Sequence, residues 1–136
     1  MVLVDSSVWI ALLRNQASRA VAALHCLLQD RQAALSPIIY QEILQGAVSS
    51  AHFDTLREYF SAQPFLVLLH PVRSHEEAAH LYARCRWQGV TPRSPADCVV
   101  AQTALEQEVE LLAHERDFNA IAAVESRLRL YEWDRG

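Results

Sequence analysis

Five carboxylates stand where apolar segments of this chain stop or where its helices are predicted to begin: Asp5, Glu42, Asp97, Glu115 and Asp117. Carboxylates that share a pocket repel one another, and a divalent cation offsets that repulsion most economically. Oxygen ligands without cysteine or paired histidine favour Mg²⁺ or Mn²⁺ over zinc. Such ions activate water and neutralise charge on a phosphodiester, so the predicted chemistry is metal-dependent phosphoryl transfer.

Two short apolar runs predict the strands that would carry three of these acids. Residues 2–4 form a β-branched run that stops at Asp5, and residues 111–113 lead into a polar turn with Glu115 and Asp117. Parallel α/β folds bind ligands beyond the carboxyl ends of their strands. We therefore expect these acids at one edge of a sheet.

The other two acids follow helix-start signals. Ser36-Pro37 and Ser94-Pro95 each place a serine at the N-cap and a proline at the first helical position. Glu42 falls in the second turn after the first signal, and Asp97 in the first turn after the second. Helices that follow parallel strands begin at the carboxyl edge of the sheet, so these starts bring Glu42 and Asp97 toward the same crevice.

The remaining pattern alternates strands with helices. Strands are expected at residues 2–4, 33–35, 65–69, 111–113 and 128–133, and helices at 6–13, 18–28, 37–46, 51–62, 75–87, 95–105 and 118–124. The uninterrupted apolar run 65–69 predicts a strand buried on both faces. This order calls for a parallel sheet with right-handed crossovers and helices on both faces, in a single domain spanning residues 1–136.

Composition excludes several classes of protein. The chain has 136 residues, and its 12 cationic side chains are all arginines, set against 16 acids. Without lysine there is no Walker-type phosphate site and no Schiff base. Three cysteines without ligand spacing indicate a reducing, cytoplasmic location, and no segment predicts secretion or membrane insertion.

Each acid also has a purely structural interpretation. Asp97 could complete a capping box with Ser94, and Asp5 could cap the helix that begins at Ser6. Glu115 and Asp117 could be ordinary turn residues. Glu42 is harder to explain in this way, because apolar residues flank it and an unpaired buried carboxylate is expensive.

A basic stretch follows residue 83. Arg84, Arg86 and Arg93, with Trp87 among them, could contact phosphates and a base of RNA. The alternative is a solvated helix end with Trp87 packed on the core. Residue types alone leave both interpretations open.

The ordered motifs resemble the PIN-domain ribonucleases, and among them the VapC-type toxins of toxin–antitoxin pairs. The resemblance covers essentially the whole chain and rests on VLVDSSVWIALL, SPIIYQEILQG and SPADCVVAQTALEQEVELLAHERDF. It implies a three-layer αβα fold with a five-stranded parallel sheet. It also implies an Mg²⁺- or Mn²⁺-dependent endoribonuclease that acts as the toxin of a type II system.

Site residues and partners follow from the same resemblance. Asp5, Glu42 and Asp97 correspond to three metal-binding acids, and Ser6 lies where the family often has Ser or Thr near the metal. The fourth acid is either Glu115 or Asp117, with Glu115 favoured because it lies nearer the strand end. The family further implies a homodimer and a cognate VapB-like antitoxin. A non-catalytic interaction module of the same fold and a housekeeping RNA-processing PIN nuclease are the alternatives.

Overall fold

The structure is a computed structural model that describes residues 1–114, 116 and 118–132. The elements follow one another in the order that the sequence predicts, except that neither residues 65–69 nor the described part of residues 128–133 form a strand. They are β1 (Val2–Val4), α1 (Ser6–Leu13), α2 (Arg19–Gln29), β2 (Ala33–Ala34), α3 (Pro37–Leu44), α4 (Ser50–Ser61), α5 (Pro71–Trp87), α6 (Pro95–Gln107), β3 (Glu110–Leu112) and α7 (Asn119–Val124).

Within the described residues the sheet has three parallel strands in the order β2-β1-β3. Leu3 pairs with Ala34 on one side and with Leu111 on the other, so the carboxyl ends of all three strands meet at one edge. The chain moves from β1 to β2 in one direction and from β2 to β3 in the other. Right-handed crossovers therefore place α1 and α2 on one face of the sheet and α6 on the opposite face.

The two outer strands expected on either side of this sheet are reduced to single bridges. Leu35 pairs with Phe65 beyond β2, and Leu111 pairs with Leu130 beyond β3. After Phe65 the backbone forms hydrogen bonds with side chains of α6 and not with a neighbouring strand. Gln107 Nε2, for example, donates to the Val67 carbonyl at 2.7 Å. Of the expected closing strand, only the residues up to 132 belong to the described part.

The prediction that residues 65–69 are buried on both faces is wrong. Phe65, Val67 and Leu69 are 36%, 47% and 55% exposed. The segment lies at the margin of the sheet, where its side chains are only partly covered, although the Phe65 ring packs edge-on against Tyr40 with centroids 5.3 Å apart. Its apolar composition was therefore a poor guide to its burial.

Helix starts agree with the proline signals, with one shift. Helix α5 begins at Pro71, four residues before the expected start, because a proline is accepted at the first helical position. Ser36 and Ser94 are N-caps of α3 and α6 as expected, but neither side chain makes a capping hydrogen bond. Their hydroxyls are thus available for other contacts.

A continuous core of buried apolar side chains joins the sheet to its helices. Leu3 and Leu111 of the sheet and Leu24 of α2 are fully buried. Trp9 of α1 packs edge-on against Phe60 of α4, with ring centroids 5.3 Å apart. The same core holds α1, which Asp5 caps, and α3, which carries Glu42, because Trp9 of α1 and Ile39 and Ile43 of α3 are buried in it. Among the described helices, none is both long and apolar enough to cross a membrane.

Candidate metal-binding active site

Asp5 lies at the carboxyl end of the central strand and is 7% exposed. Its backbone N–H donates to the Leu112 carbonyl at 2.9 Å, which ties it to β3. Its side chain caps α1: the backbone N–H of Ser7 donates to Oδ2 at 3.2 Å, and the Ser7 hydroxyl donates to the same oxygen at 2.5 Å. The capping interpretation is therefore confirmed, and it coexists with a position at the predicted edge.

Glu42 reaches the same edge from α3. Ile39 and Ile43 of this helix are buried in the core, which orients the half-buried Glu42 toward α1. The Ser6 hydroxyl donates to Glu42 Oε1 at 3.3 Å. This contact joins the first turn of α1 to a residue 36 positions later in the chain.

Asp97 lies in the first turn of α6. The Ser94 hydroxyl donates to Asp97 Oδ1 at 3.4 Å, and the Ser94 backbone N–H also donates to the carboxylate. Half of the expected capping box is thus present. The other carboxylate oxygen, Oδ2, is buried and has no hydrogen-bond partner within the residues that the structure describes. Helix capping alone does not account for that oxygen.

The three carboxylates interact electrostatically. Burial raises the pKa of Glu42, and the charges of Asp5 and Asp97 raise it further, against the opposing hydrogen bond from Ser6. Burial and the charge of Asp5 likewise raise the pKa of Asp97, while Ser94 and the nearby charge of Arg93 oppose the rise. Mutual repulsion of this kind is what a bound cation removes.

The donor set suits a hard divalent cation. It offers carboxylate and hydroxyl oxygens, the ligands that Mg²⁺ and Mn²⁺ prefer, together with the unpartnered Asp97 Oδ2. Among the described residues no three His, Cys, Asp or Glu side chains lie close enough together to hold an ion. Glu115 and Asp117, either of which was expected to supply the fourth acid, lie outside the described residues.

The predicted RNA-contacting residues lie in three different places. Arg93, exposed and close enough to Asp97 to lower its pKa, lies beside the acids. Arg86 and Trp87 are exposed at the end of α5, and because Trp87 is 74% exposed, the alternative that it packs on the core is wrong. Arg84 instead points to α7, where its Nη2 donates to Glu125 at 2.9 Å.

Sequence reasoning missed one residue of the site, Ser7. Its hydroxyl and its backbone N–H both donate to Asp5. A serine two positions after an N-cap aspartate can donate in this way, and that spacing in DSS was the available signal.

Similarity to known proteins agrees with this arrangement. The PIN domain family model matches residues 2–124 of the chain. The VapC ribonuclease Mb1587 of Mycobacterium bovis and ribonuclease VapC11 of Mycobacterium tuberculosis are each 30% identical to it over 126 residues, which is 91% of this chain and 93% of each relative.

A solved structure has the same fold. VapBC-1 from nontypeable Haemophilus influenzae superposes with a TM-score of 0.69 at 21% identity, covering 98% of each chain. At this identity the match speaks for the fold alone. The family match over most of the chain, together with the acids at the carboxyl edge of the sheet, establishes that the chain belongs to the PIN-domain family.

Proposed function

We propose that the chain is a metal-dependent endoribonuclease and the toxin of a type II toxin–antitoxin pair. The observation that carries the proposal is the convergence of Asp5, Glu42 and Asp97 from three different elements on one sheet edge, with a buried Asp97 oxygen that lacks a partner among the described residues. The names of the curated relatives, which are VapC ribonucleases, support RNA as the substrate.

The proposed roles follow from the positions of the acids. Asp5, Glu42 and Asp97 would hold Mg²⁺ or Mn²⁺, with Ser6 bracing Glu42, and Glu115 or Asp117 would complete the ligand set. When bound, the ion activates water and neutralises charge that develops on the phosphodiester. The chain itself supplies a rigid, half-buried frame for those oxygens, in which α1, α3 and α6 are fixed by the core.

Arg93, Arg86 and Trp87 would position the RNA. Arg93 stands next to the acids, where a guanidinium can contact a phosphate, and the exposed ring of Trp87 offers a stacking face for a base. Of the four residues predicted to contact RNA, Arg84 is the least suited to that role, because its guanidinium pairs with Glu125. A local arginine cluster of this kind can bind RNA even though the whole chain carries a net charge of −4.

The partner we propose is a cognate VapB-like antitoxin, and the assembly a homodimer in the cytoplasm. One similar structure is described as a toxin–antitoxin complex from Klebsiella pneumoniae, and another is VapBC-1. That description supports an antitoxin as the partner here. It also favours a toxin over a housekeeping nuclease.

The proposal is tested by incubating the purified chain with total cellular RNA and Mn²⁺. Wild-type protein is expected to cleave RNA, and EDTA is expected to stop cleavage. Glu42→Gln should reduce the rate by more than about 100-fold, because even residues that only support metal ligands are typically worth 10–100-fold. Glu58→Gln, which removes one charge from the exposed face of α4, is the matched control and should cleave normally.

Two results would contradict the proposal. If Glu42→Gln and wild type cleave equally, the cleavage comes from a contaminant or from another site. If the wild-type chain neither binds Mn²⁺ nor cleaves RNA, the non-catalytic interaction module becomes the better description.

A further inference from the structure

Serine hydroxyls contact all three acids at the sheet edge. Ser7 donates to Asp5, Ser6 donates to Glu42, and Ser94 donates to Asp97. The contact made by Ser7 is the shortest of the three, at 2.5 Å against 3.3 and 3.4 Å. It also falls on the most buried of these carboxylates, that of Asp5 at 7% exposure.

The Ser7 contact exceeds what helix capping requires. At the N-caps of α2 and α4, the oxygens of Ser18 and Ser49 each accept one hydrogen bond from a backbone N–H. Asp5 accepts its capping bond from the Ser7 backbone, two residues on where the serine caps accept from three residues on, and a second bond from the Ser7 hydroxyl, both at Oδ2. The second bond satisfies no backbone group, so its effect falls on the carboxylate.

Two donors from one residue on one oxygen fix the plane of a carboxylate. Rotation about the terminal torsion of an aspartate is otherwise broad. Metal binding requires ligand oxygens in a defined geometry, and partners that orient ligands contribute to affinity. A carboxylate held in place before the ion arrives loses less freedom on binding.

We propose that Ser7 is a positioning residue that holds the Asp5 carboxylate in the orientation needed for the divalent cation. The inference rests on the proposed function, since it assumes that Asp5 is a metal ligand. It assigns to the second serine of DSS a role separate from that of Ser6, which acts on Glu42.

The test is Mn²⁺ affinity, measured by calorimetric titration of the full chain, together with the Tm in EDTA. Ser7→Ala keeps the backbone N–H that caps α1 and removes only the hydroxyl. It should weaken Mn²⁺ binding about 10-fold or more while leaving the Tm in EDTA nearly unchanged. Ser7→Thr retains the hydroxyl and should restore wild-type affinity to within a few fold.

A cap serine away from the acids is the matched control. Ser18→Ala removes a hydroxyl that caps α2, so it should lower the Tm by a few degrees without changing Mn²⁺ affinity. A second comparison uses Asp5→Asn: in that background Ser7→Ala should cause no further loss of Mn²⁺ affinity, because the hydroxyl acts through Asp5.

Each contrary outcome is distinct. Wild-type Mn²⁺ affinity in Ser7→Ala overturns the inference and leaves the proposed function standing. A Ser7→Ala chain that does not fold in EDTA also overturns it, since the hydroxyl would then serve the fold. A wild-type chain that binds no Mn²⁺ overturns the inference and the proposed function together.

Discussion

Two groups of acids in this chain have opposite environments. At the sheet edge, Glu42 and Asp97 have raised pKa values because they are partly buried and close to other carboxylates. Among the helices α5, α6 and α7, Glu106 and Glu125 have lowered pKa values. The helical pair shows how this protein stabilises a carboxylate for structure, and the sheet edge departs from that solution.

The helical acids are surrounded by donors. Burial alone would raise the pKa of Glu106, but hydrogen bonds from Gln102, the Leu69 backbone and Ser74 outweigh it. Glu125, 5% exposed, accepts hydrogen bonds from Arg127 and Arg84, which lower its pKa to about 2 despite burial. These contacts join α6 to the start of α5, and α5 to the end of α7.

Each sheet-edge acid receives a neutral serine hydroxyl. Glu106 instead receives three neutral donors, and Glu125 receives two guanidinium groups. Serines 6, 7 and 94 orient the carboxylates without neutralising them. Repulsion within such a cluster lowers the stability of the folded protein until a cation binds. A loss of stability of this kind is expected at a functional site and not among purely structural contacts. The raised pKa values of Glu42 and Asp97 therefore support the proposed metal site on grounds separate from the family resemblance.

The largest effect on stability is expected at Glu125. Glu125→Gln removes the charge that pairs with Arg84 and Arg127, and should reduce the free energy of unfolding by about 2 kcal/mol, because hydrogen bonds to a charged group are worth more than neutral ones. Urea unfolding monitored by circular dichroism measures the change. Glu58→Gln on the exposed face of α4 is the control and should change stability by less than about 0.5 kcal/mol.

The same pair predicts a pH dependence. Because folding lowers the pKa of Glu125 from 4.5 to about 2, its contribution is fully present above pH 4.5 and is lost as the pH falls toward 2. Wild type should therefore lose more stability than Glu125→Gln over that interval. If the stability of both proteins falls equally as the pH is lowered, the ionised Glu125 does not stabilise the fold, and the contrast with the sheet-edge acids fails for this residue.

An effect of opposite sign is expected at Asp97. Its raised pKa means that ionisation disfavours the folded state, so its contribution is favourable at low pH and is lost as the pH rises through the folded pKa. Asp97→Asn removes the repulsion and should raise the Tm in EDTA at neutral pH by a few degrees. Mn²⁺ should raise the Tm of wild type and leave that of Asp97→Asn nearly unchanged, as differential scanning fluorimetry can show.

Failure at Asp97 would take a recognisable form. If Asp97→Asn lowers the Tm in EDTA as Glu125→Gln does, then Asp97 is a structural cap, and the contrast between the two groups of acids disappears. If both proteins gain the same Tm from Mn²⁺, the ion binds elsewhere.

The central elements and three of the acids could be predicted from local patterns. β-branched runs ending in a carboxylate and the Ser-Pro helix starts each act within a few residues, so β1, α1, α3 and α6 appear where expected. The margins could not be predicted in this way. The apolar composition of residues 65–69 predicts a buried strand. Whether such a run is buried depends on what packs beside it in the folded protein. Here side chains of Gln107 and Glu106 in α6, about 40 residues away in the chain, hydrogen-bond to its backbone.

Hydrogen bonds between side chains that lie far apart in the sequence could not be predicted either. Arg84 pairs with Glu125, which is 41 positions away in the chain. From the sequence alone, Arg84 could equally have been a residue that contacts RNA. Ser7, two positions from Asp5, was within reach of local reasoning because the DSS spacing permits the contact. The difference is one of sequence distance: local hydrogen bonds follow from spacing, whereas long-range ones depend on the finished packing.

The smallest predicted effect compares two serines that are each 1% exposed, Ser36 and Ser74. The Ser74 hydroxyl accepts from the His70 backbone at 3.1 Å and donates to Glu106 at 2.9 Å, whereas the Ser36 hydroxyl has no partner in the described part of the chain. Ser74→Ala should therefore cost about 1–2 kcal/mol in urea unfolding, and Ser36→Ala less than about 0.5 kcal/mol, because only a bonded hydroxyl leaves buried partners unsatisfied. Equal losses would mean that Ser36 is bonded in solution, and that the sheet edge satisfies its polar groups as completely as the helices do.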